Sequence, residues 1–259
     1  VGKISKRICD DYDDAPNGVP EPCRLCSSGG LSFVGWDNQP RKRPLYLCRN
    51  CGLISVPAEY HLSVSDELSR YALHDNSLSN QGYVDFLTEV ADVAVSVASG
   101  MPHGGLSMSD PREPPIKLLD FGCGKEAALC RLLGRRGIDC YPYDPLYDNL
   151  QLPADGGYDI IVACEVVEHL RNLAEELRLI DGLLRSGGVF ILRTRLYDDA
   201  DVNINTDVNG GDTPIIQHWW YMQDPTHINF FNKTSLFKLA SIIDKRLEET
   251  ERRDIFVLR

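Results

Sequence analysis

The sequence predicts an α/β protein built on a mostly parallel sheet, with a small cysteine-rich module ahead of it. Three observations carry this expectation. The run LLDFGCG (residues 118–124) reads as a buried strand end that breaks into a glycine turn, and residues 127–135 behind it have the apolar spacing of a helix. Further apolar runs of strand length, IDCYPYD, YDIIVAC and GGVFILRT, recur after helical or polar stretches, as a chain alternating strand and helix requires. Four of the nine cysteines fall in two C-x-x-C pairs, Cys23 with Cys26 and Cys48 with Cys51.

From the N-terminus, residues 1–20 are polar, and Pro16, Gly18 and Pro20 discourage regular structure, so a flexible segment is expected. A zinc ribbon is expected over 21–58. Two thiolates at C-x-x-C spacing face one metal, and two such pairs, here 21 residues apart, close a tetrahedral Zn(II) site. Phe33, Trp36 and Tyr46 between them suit a short β-ribbon. With Cys23, Cys26, Cys48 and Cys51 all supplied by the chain, no position is open to a substrate and the metal is expected to be structural. Cys9, Cys123, Cys130, Cys140 and Cys164 read as isolated thiols, mostly buried.

Residues 59–115 are read as a helical segment followed by a loop. Val84, Leu87, Val90, Ala91, Ala94 and Val97 have helical spacing, whereas 99–115 are rich in Gly, Pro and Ser. The sheet is expected over 116–259. Glycine is needed after Asp120 because the backbone bends sharply and approaches a ligand. Asp144, 24 residues beyond Asp120, ends the second apolar stretch, where a carboxylate can accept from ribose hydroxyls. After GGVFILRT comes a long, acidic insertion, dense in aromatics near residue 220. Trp219, Trp220 and Tyr221 read either as a lid or pocket wall or as plain cover for a sheet edge. NKTSLFKLASII is the last expected helix, with Leu236, Leu239, Ala240 and Ile243 inward, and IFVLR a closing strand near the sheet edge.

Taken in order, LLDFGCG, Asp144, YDIIVACEVVEHL and LLRSGGVFILRT resemble the class I S-adenosylmethionine-dependent methyltransferases over residues 116–259. The resemblance implies a Rossmann-like seven-stranded methyltransferase sheet and S-adenosylmethionine as cofactor. It also implies a turn of Asp120, Gly122 and Gly124 beneath the methionine part, Asp144 as ribose anchor, Asp155 as an adenine-side contact, and Glu165 beside the methyl group. One departure stands out: the family's D-x-G-x-G-x-G ends here on Glu126. That carboxylate either crowds the cofactor's amino-acid end or points away as a helix begins, where its charge suits the helix N-terminus. With the CxxCGL knuckle and the WWYxxDPTHINFF string, the chain is further similar to zinc-ribbon-bearing bacterial methyltransferases, many tied to sugar or natural-product tailoring.

Methyl transfer leaves the protein mainly to align the acceptor and manage its proton. Glu165, Glu168 and His169 are the candidates beside the methyl position, three and four residues apart and so expected on one helical face, with His227 joining from DPTHINFF. Three readings stand side by side. The set resembles that of small-RNA 2′-O-methyltransferases, and its Glu-x-x-Glu-His part that of ubiquinone-biosynthesis O-methyltransferases, which would make all four residues ligands of a second, divalent cation. Alternatively His169 or His227 is a metal-free general base. Alternatively all four are structural. Tyr71, His74, Asn76 and Tyr83 look like a pocket contribution from the N-terminal half, whereas His61, His103 and His218 read as surface or packing residues.

The formal charge of −11 argues against nonspecific nucleic-acid binding and favours a small or cationic acceptor. It is uneven: residues 1–60 hold 8 Lys/Arg against 7 Asp/Glu, so +1, leaving −12 for the rest. The tract Arg41-Lys42-Arg43 reads as a solvated loop. The apolar content of 43% is ordinary for a soluble protein, no run approaches a membrane span, and the first residues lack a signal-peptide core, so a cytoplasmic location is the expectation. Methyl transfer to a small-molecule hydroxyl is thus the reading from sequence. Its rivals are an RNA methyltransferase using the ribbon to bind substrate, and a non-catalytic, zinc-stapled scaffold whose Glu126 has spoiled the turn.

Overall fold

A computed structural model of the chain describes residue 16 and residues 21–101, 115–147, 152, 156–197 and 219–259. The expectations for the remainder of 1–20, most of the 99–115 loop, the insertion through residue 218, Cys9, His103, His218 and Asp155 lie outside the described residues.

The main sheet has the strand order β5-β4-β6-β7-β10-β9. Its strands are β4 (Lys117–Phe121), β5 (Asp139–Tyr143), β6 (Tyr158–Cys164), β7 (Leu184–Arg193), β9 (Leu247–Glu249) and β10 (Ile255–Leu258). The first four pair in parallel, whereas β10 runs antiparallel to both β7 and β9. Six strands are present among the described residues, where seven were expected. IFVLR is, as expected, near the edge: β10 lies one strand in, and β9 forms the border. The fully buried runs of β4, β6 and β7 match their uninterrupted apolar sequence, as strands covered on both faces should. One face is covered by α2 (Gln81–Ser99) and α3 (Ala128–Gly134), whose apolar sides pack with Leu118, Ile160, Val162 and Ile191. The other is covered by α4 (Leu173–Leu183) and α5 (Lys233–Ile242), packing with Leu119, Ile161, Phe190 and Phe256. Asn80 caps α2 and Asn232 caps α5 through the amides of Tyr83 and Ser235.

Because β5 and β6 leave β4 in opposite directions, a crevice opens at the carboxyl ends of β4 and β6, where ligands of open α/β sheets bind. Cys130 and Cys140 are not isolated thiols; a disulfide joins α3 to β5. Two thiols ten residues apart in sequence carry no pairing signal, and only the packing of α3 on β5 brings them together.

The cysteine module makes a second sheet, β1 (Leu31–Trp36), β2 (Pro44–Cys48) and β3 (Ile54–Ser55), all antiparallel. Its fourth strand, β8 (Asn229–Phe230), comes from DPTHINFF, with Ile54 opposite Phe230 and Ser55 opposite Asn229. Cys23, Leu25, Cys48, Cys51 and Leu53 lie in the same apolar cluster as Phe121, Leu177 and Phe231. A cluster that spans both sheets cannot come apart in pieces without exposing Leu and Phe side chains of each. Arg43 departs from the expected solvated tract: it is 2% exposed and paired with the fully buried Asp37.

Stripping the ribbon metal is therefore expected to lower the stability of the whole protein in a single transition. A structural zinc site contributes several kcal/mol, which at this size corresponds to a fall of about 10 °C or more. Thermal unfolding followed by circular dichroism with and without a strong chelator checks it; two separate transitions would show that ribbon and main sheet unfold independently.

Candidate functional site

The four cysteine sulfurs lie within 4.8 Å of one another, with Cys23 Sγ 3.6 Å from Cys51 Sγ and Cys26 Sγ 3.5 Å from Cys48 Sγ. Bonds of about 2.3 Å to a tetrahedral zinc would set sulfurs roughly 3.8 Å apart, so the cluster fits Zn(II). The Asn50 side-chain amide donates to Cys26 Sγ at 3.4 Å, the kind of outer contact that steadies a thiolate ligand.

The crevice at the end of β4 and β6 opens into a cavity of about 1210 Å³. Its floor is the turn after β4. Gly122 and Cys123 both donate backbone N–H groups to the Tyr143 carbonyl, at 2.7 and 3.0 Å, which locks this turn to the end of β5. Asp144 completes the lock: one carboxylate oxygen accepts from the Gly124 amide and the other from the Leu146 amide, both at 2.9 Å. Gly122 has φ +78°, and a Cβ there would meet Val166 Cγ2 at 2.6 Å. Gly124, at φ +66°, has open space where its Cβ would be. Glu126 is half-exposed, lines the cavity beside Gly124 and pairs with Arg131 at 3.6 Å.

Asp120, in β4 just behind this floor, is the residue that lacks something. It is 2% exposed, and one of its carboxylate oxygens has no hydrogen-bond partner. Burial, with the Asp144 charge added, pushes its pKa up to about 7. A buried carboxylate short of a donor and a bare glycine floor fit the cationic amino-acid end of S-adenosylmethionine. The cavity wall opposite carries Tyr71, His74, Asn76 and Tyr83, the pocket contribution read from the N-terminal half.

On the acceptor side the expected helical face does not exist. Glu165 follows β6 with φ +54°, and residues 167–169 form a single 3₁₀ turn, so the carboxylates converge by another route. Both reach the Tyr221 hydroxyl, Glu165 at 3.1 Å and Glu168 at 2.5 Å, while the Thr194 hydroxyl donates to Glu168 at 3.3 Å. One phenolic proton cannot serve two carboxylates, and the second oxygen of Glu165 is buried without a partner. Burial, reinforced by Glu165, raises Glu168 well above the carboxylate range, and burial raises Glu165 as well.

His169 and His227 stand together, ring centroids 4.7 Å apart. His169 Nδ1 donates to the Thr226 carbonyl at 3.1 Å and His227 Nδ1 to the Tyr221 carbonyl at 2.7 Å, which leaves each Nε2 with its lone pair. Burial lowers both pKa values, His227 to about 3, so the imidazoles are neutral at physiological pH. A carboxylate oxygen of Glu168 and a ring nitrogen from each histidine lie within 4.8 Å of one another. The segment bearing His227 is tied to the 3₁₀ turn by Asn229, whose side-chain amide donates to the Val167 and Leu170 carbonyls. Burial opposes ionisation of Asp224, yet the Thr226 hydroxyl and amide hold its pKa below the usual range, and Arg70 pairs with it at 3.0 Å. The aromatic trio divides: Tyr221 is in the site, Trp220 stands 60% exposed on the cavity wall, and Trp219 packs against Phe230.

Sequence reasoning missed Thr194, Asn229, Gln39 and Arg43. The first two lie in strings already singled out, GGVFILRT and DPTHINFF, but nothing in the order of residues told which polar groups turned inward. His61, read as a surface or packing residue, is half-buried and bonds the Val56 carbonyl through Nε2 at 3.0 Å.

Two outcomes follow from the floor. Gly124→Ala is expected to cost only about 1–2 kcal/mol of stability, the strain of a left-handed alanine, yet to weaken S-adenosylhomocysteine binding at least about tenfold, because its methyl enters ligand space. Gly122→Ala is expected to destabilise further by forcing Val166 aside; calorimetry and thermal melts separate the two. For Asp120 the folded pKa lies above the unfolded one. In the free protein its contribution to stability is full below about pH 4 and lost as pH rises through about 7. A cationic ligand reverses this by favouring the carboxylate. Binding near pH 6 is therefore expected to release a proton, affinity to rise from pH 6 to 8, and Asp120→Asn to abolish the release, as read by calorimetry in buffers of different ionisation enthalpy.

Among the curated proteins, none matches the chain. Among solved structures, the chain is similar to an O-methyltransferase family protein from Burkholderia thailandensis, at 13% identity and a TM-score of 0.45, over 74% of this chain and 61% of that one. It thus spans under two thirds of that protein's length. It is similar at 13% identity and a TM-score of 0.45 to DesVI of Streptomyces venezuelae, over 77% of this chain and 99% of that one. A third is the magnesium protoporphyrin IX methyltransferase of Synechocystis PCC 6803, solved with S-adenosylhomocysteine, at 15% identity and a TM-score of 0.44, over 75% of this chain and 93% of that one. The assignment rests on the family profile described as "Methyltransferase domain", which matches residues 97–241, more than half the chain, and takes in the floor, Asp144 and every acceptor-side residue above. The chain belongs to this methyltransferase-domain family and carries an S-adenosylmethionine-dependent methyltransferase domain.

Proposed function

We propose that the protein transfers the methyl group of S-adenosylmethionine to a hydroxyl oxygen of a small-molecule acceptor, and that Glu168, His169 and His227, with Glu165 beside them, hold a divalent cation at the acceptor side. The observation that carries this reading is the donor set. Two neutral imidazoles, each fixed through Nδ1 on a backbone carbonyl, present free Nε2 atoms next to an excess of carboxylate oxygens. Imidazoles oriented by an outer hydrogen bond, mixed with carboxylate, are the ligand chemistry of a catalytic divalent site. Such a cation, when bound, supplies Lewis acidity that makes a hydroxyl a better nucleophile at neutral pH. The bound cofactor supplies the activated methyl group.

The chain's own residues do the rest. Gly122, Gly124 and Asp144 line the cofactor's seat with Asp120 buried behind them, and Glu165, just past the end of β6, is on the methyl side. Tyr221 and Thr194 orient the carboxylates, and Tyr71, packed edge-on to His169 with centroids 5.7 Å apart, shields that histidine from water. A metal-free histidine base fits less well. A base is most effective when its pKa lies near the working pH, and His227 at about 3 is far below it. The small-molecule class is supported by the cavity, which takes a cofactor and a modest acceptor together, and by the net charge. The RNA alternative loses one of the three residues of its basic tract: Arg43 is buried, while the exposed Arg41 stands over the Tyr60 ring and bonds the Glu59 carbonyl.

Methyl transfer from labelled cofactor to a panel of hydroxylated small molecules, run on zinc-loaded protein with and without added Mg²⁺ or Mn²⁺, tests the proposal. Turnover is expected to need the added cation, and His227→Ala is expected to lose about 100-fold or more in rate, alongside loss of Mn²⁺ binding by electron paramagnetic resonance. Undiminished turnover without added cation would remove the metal; transfer confined to amines or carbon would remove the hydroxyl.

A further inference from the structure

We propose that Arg43 is a positioning residue of the acceptor side: its guanidinium, anchored inside the cysteine module, sets where His227 and Tyr221 stand. The inference rests on the proposed role of His227 in the preceding subsection and extends it to the part of the chain farthest from that histidine in sequence.

The loop between β1 and β2 is built around Asp37. This fully buried carboxylate accepts the Arg43 amide at 3.0 Å, the Gln39 amide at 3.2 Å and Arg43 Nε at 2.5 Å. The guanidinium is thereby fixed inside the module, and its Nη1 reaches out of it. Nη1 donates to the Pro225 carbonyl at 2.7 Å and to the His227 carbonyl at 3.0 Å. Gln39 Nε2 adds a third bond, to the Met222 carbonyl at 2.8 Å. Three backbone carbonyls of one short segment are thus held by two side chains some 180 residues earlier.

That segment carries the acceptor-side groups. His227 Nδ1 donates to the Tyr221 carbonyl, so ring orientation follows the path of the strap between them, and the Tyr221 hydroxyl lies on Glu165 and Glu168. The Ile228 amide closes the strap on the Glu168 carbonyl at 2.9 Å. Shifting the strap by one hydrogen-bond length therefore moves an imidazole and a phenol together. Only arginine spans this gap: its planar fork serves a carboxylate with one nitrogen and two carbonyls with another, which a lysine's single ammonium cannot do at once. Stability alone does not call for such a group, since a buried ion pair is often no better than an apolar pair of the same size.

The decisive variant is Arg43→Met with Asp37→Leu, which removes the pair without leaving a buried charge. It is expected to fold, to keep its zinc, and to bind S-adenosylhomocysteine within about twofold of the parent. Two readouts are expected to change. By nitrogen-15 NMR the His227 ring should pass from the single Nδ1–H tautomer to a mixture, with His61 unaltered, and amides of residues 222–228 should exchange with deuterium at least about tenfold faster. A folded double variant in which His227 keeps its tautomer and those amides their protection would overturn the proposal. Should the double variant not fold, Arg43→Lys and Gln39→Ala, which retain the charge and the ion pair respectively, decide it: faster exchange confined to 222–228 in both supports it, and parent-like exchange in both overturns it. Neither readout needs an acceptor or an added cation, so the outcome is independent of whether hydroxyl methylation itself is observed.

Discussion

The two-residue ladder between β3 and β8 is the contact on which the arrangement of this protein depends. It is small, Ile54 with Phe230 and Ser55 with Asn229, yet it is the place where a strand that belongs by sequence to the methyltransferase half enters the cysteine sheet. Without it β3 would present an open edge, and the chain from Tyr221 to Asn229 would be an unsupported loop. With it, the segment is braced on three sides: by Arg43 and Gln39, by the Asn229 side chain on the 3₁₀ turn after β6, and by the Val56 amide on the Ile228 carbonyl at 2.9 Å. The cysteine cluster stands behind this brace, since Cys48 ends β2 and Leu53 follows Cys51 into β3. The module is therefore a frame for the acceptor side and no appendage.

The two halves of the cavity are built on different electrostatic footings. The floor leaves Asp120 buried beside Asp144 with an oxygen unfilled, an arrangement that is unfavourable until a positive group arrives. The acceptor side does the same with more parts: two carboxylates share one phenol, and two imidazoles are pushed neutral by burial. In both places the free protein holds a surplus of acceptors. Such surpluses are costly for stability, and a bound cation would relieve them.

Much of this was legible from sequence wherever chemistry depends on neighbours along the chain. The glycine turn after β4, the clustering of the four cysteines, α2 and α5 all follow from local spacing and are present in the structure. What stayed hidden depends on separation. Glu165, Glu168 and His169 were expected on a helix because their spacing is helical, but Glu165 adopts a left-handed conformation after the strand, and its carboxylate meets Glu168 through Tyr221. Arg43 sits in a basic triplet, whose most ordinary fate is solvent; its burial is decided by Asp37, six residues earlier, and by carbonyls far along the chain. Cys130 and Cys140 look unremarkable until α3 lies on β5. A residue's type told its chemistry, whereas its partner was fixed only by topology.

This division has a consequence for how the site comes into being. The cofactor floor is assembled by contacts of shorter range, such as Asp144 to Gly124 across 20 residues. The acceptor side needs contacts spanning more than 180 residues, from Arg43 to Pro225 and His227. Loop closure over such a span is entropically expensive and comes late unless something holds the ends. The cysteine cluster offers a way to hold them: a metal fixes β2 and β3 as a preformed edge, and β8 then docks on a template in place of searching for one. Because Cys48, Cys51 and Leu53 share one apolar cluster with Phe121 and Phe190 of the main sheet, a metal that fixes this edge supports both halves, and the long-range brace most directly. A structural ion with no open coordination position thus acts on the reaction through geometry, by deciding whether His227 and Tyr221 have a fixed place to stand.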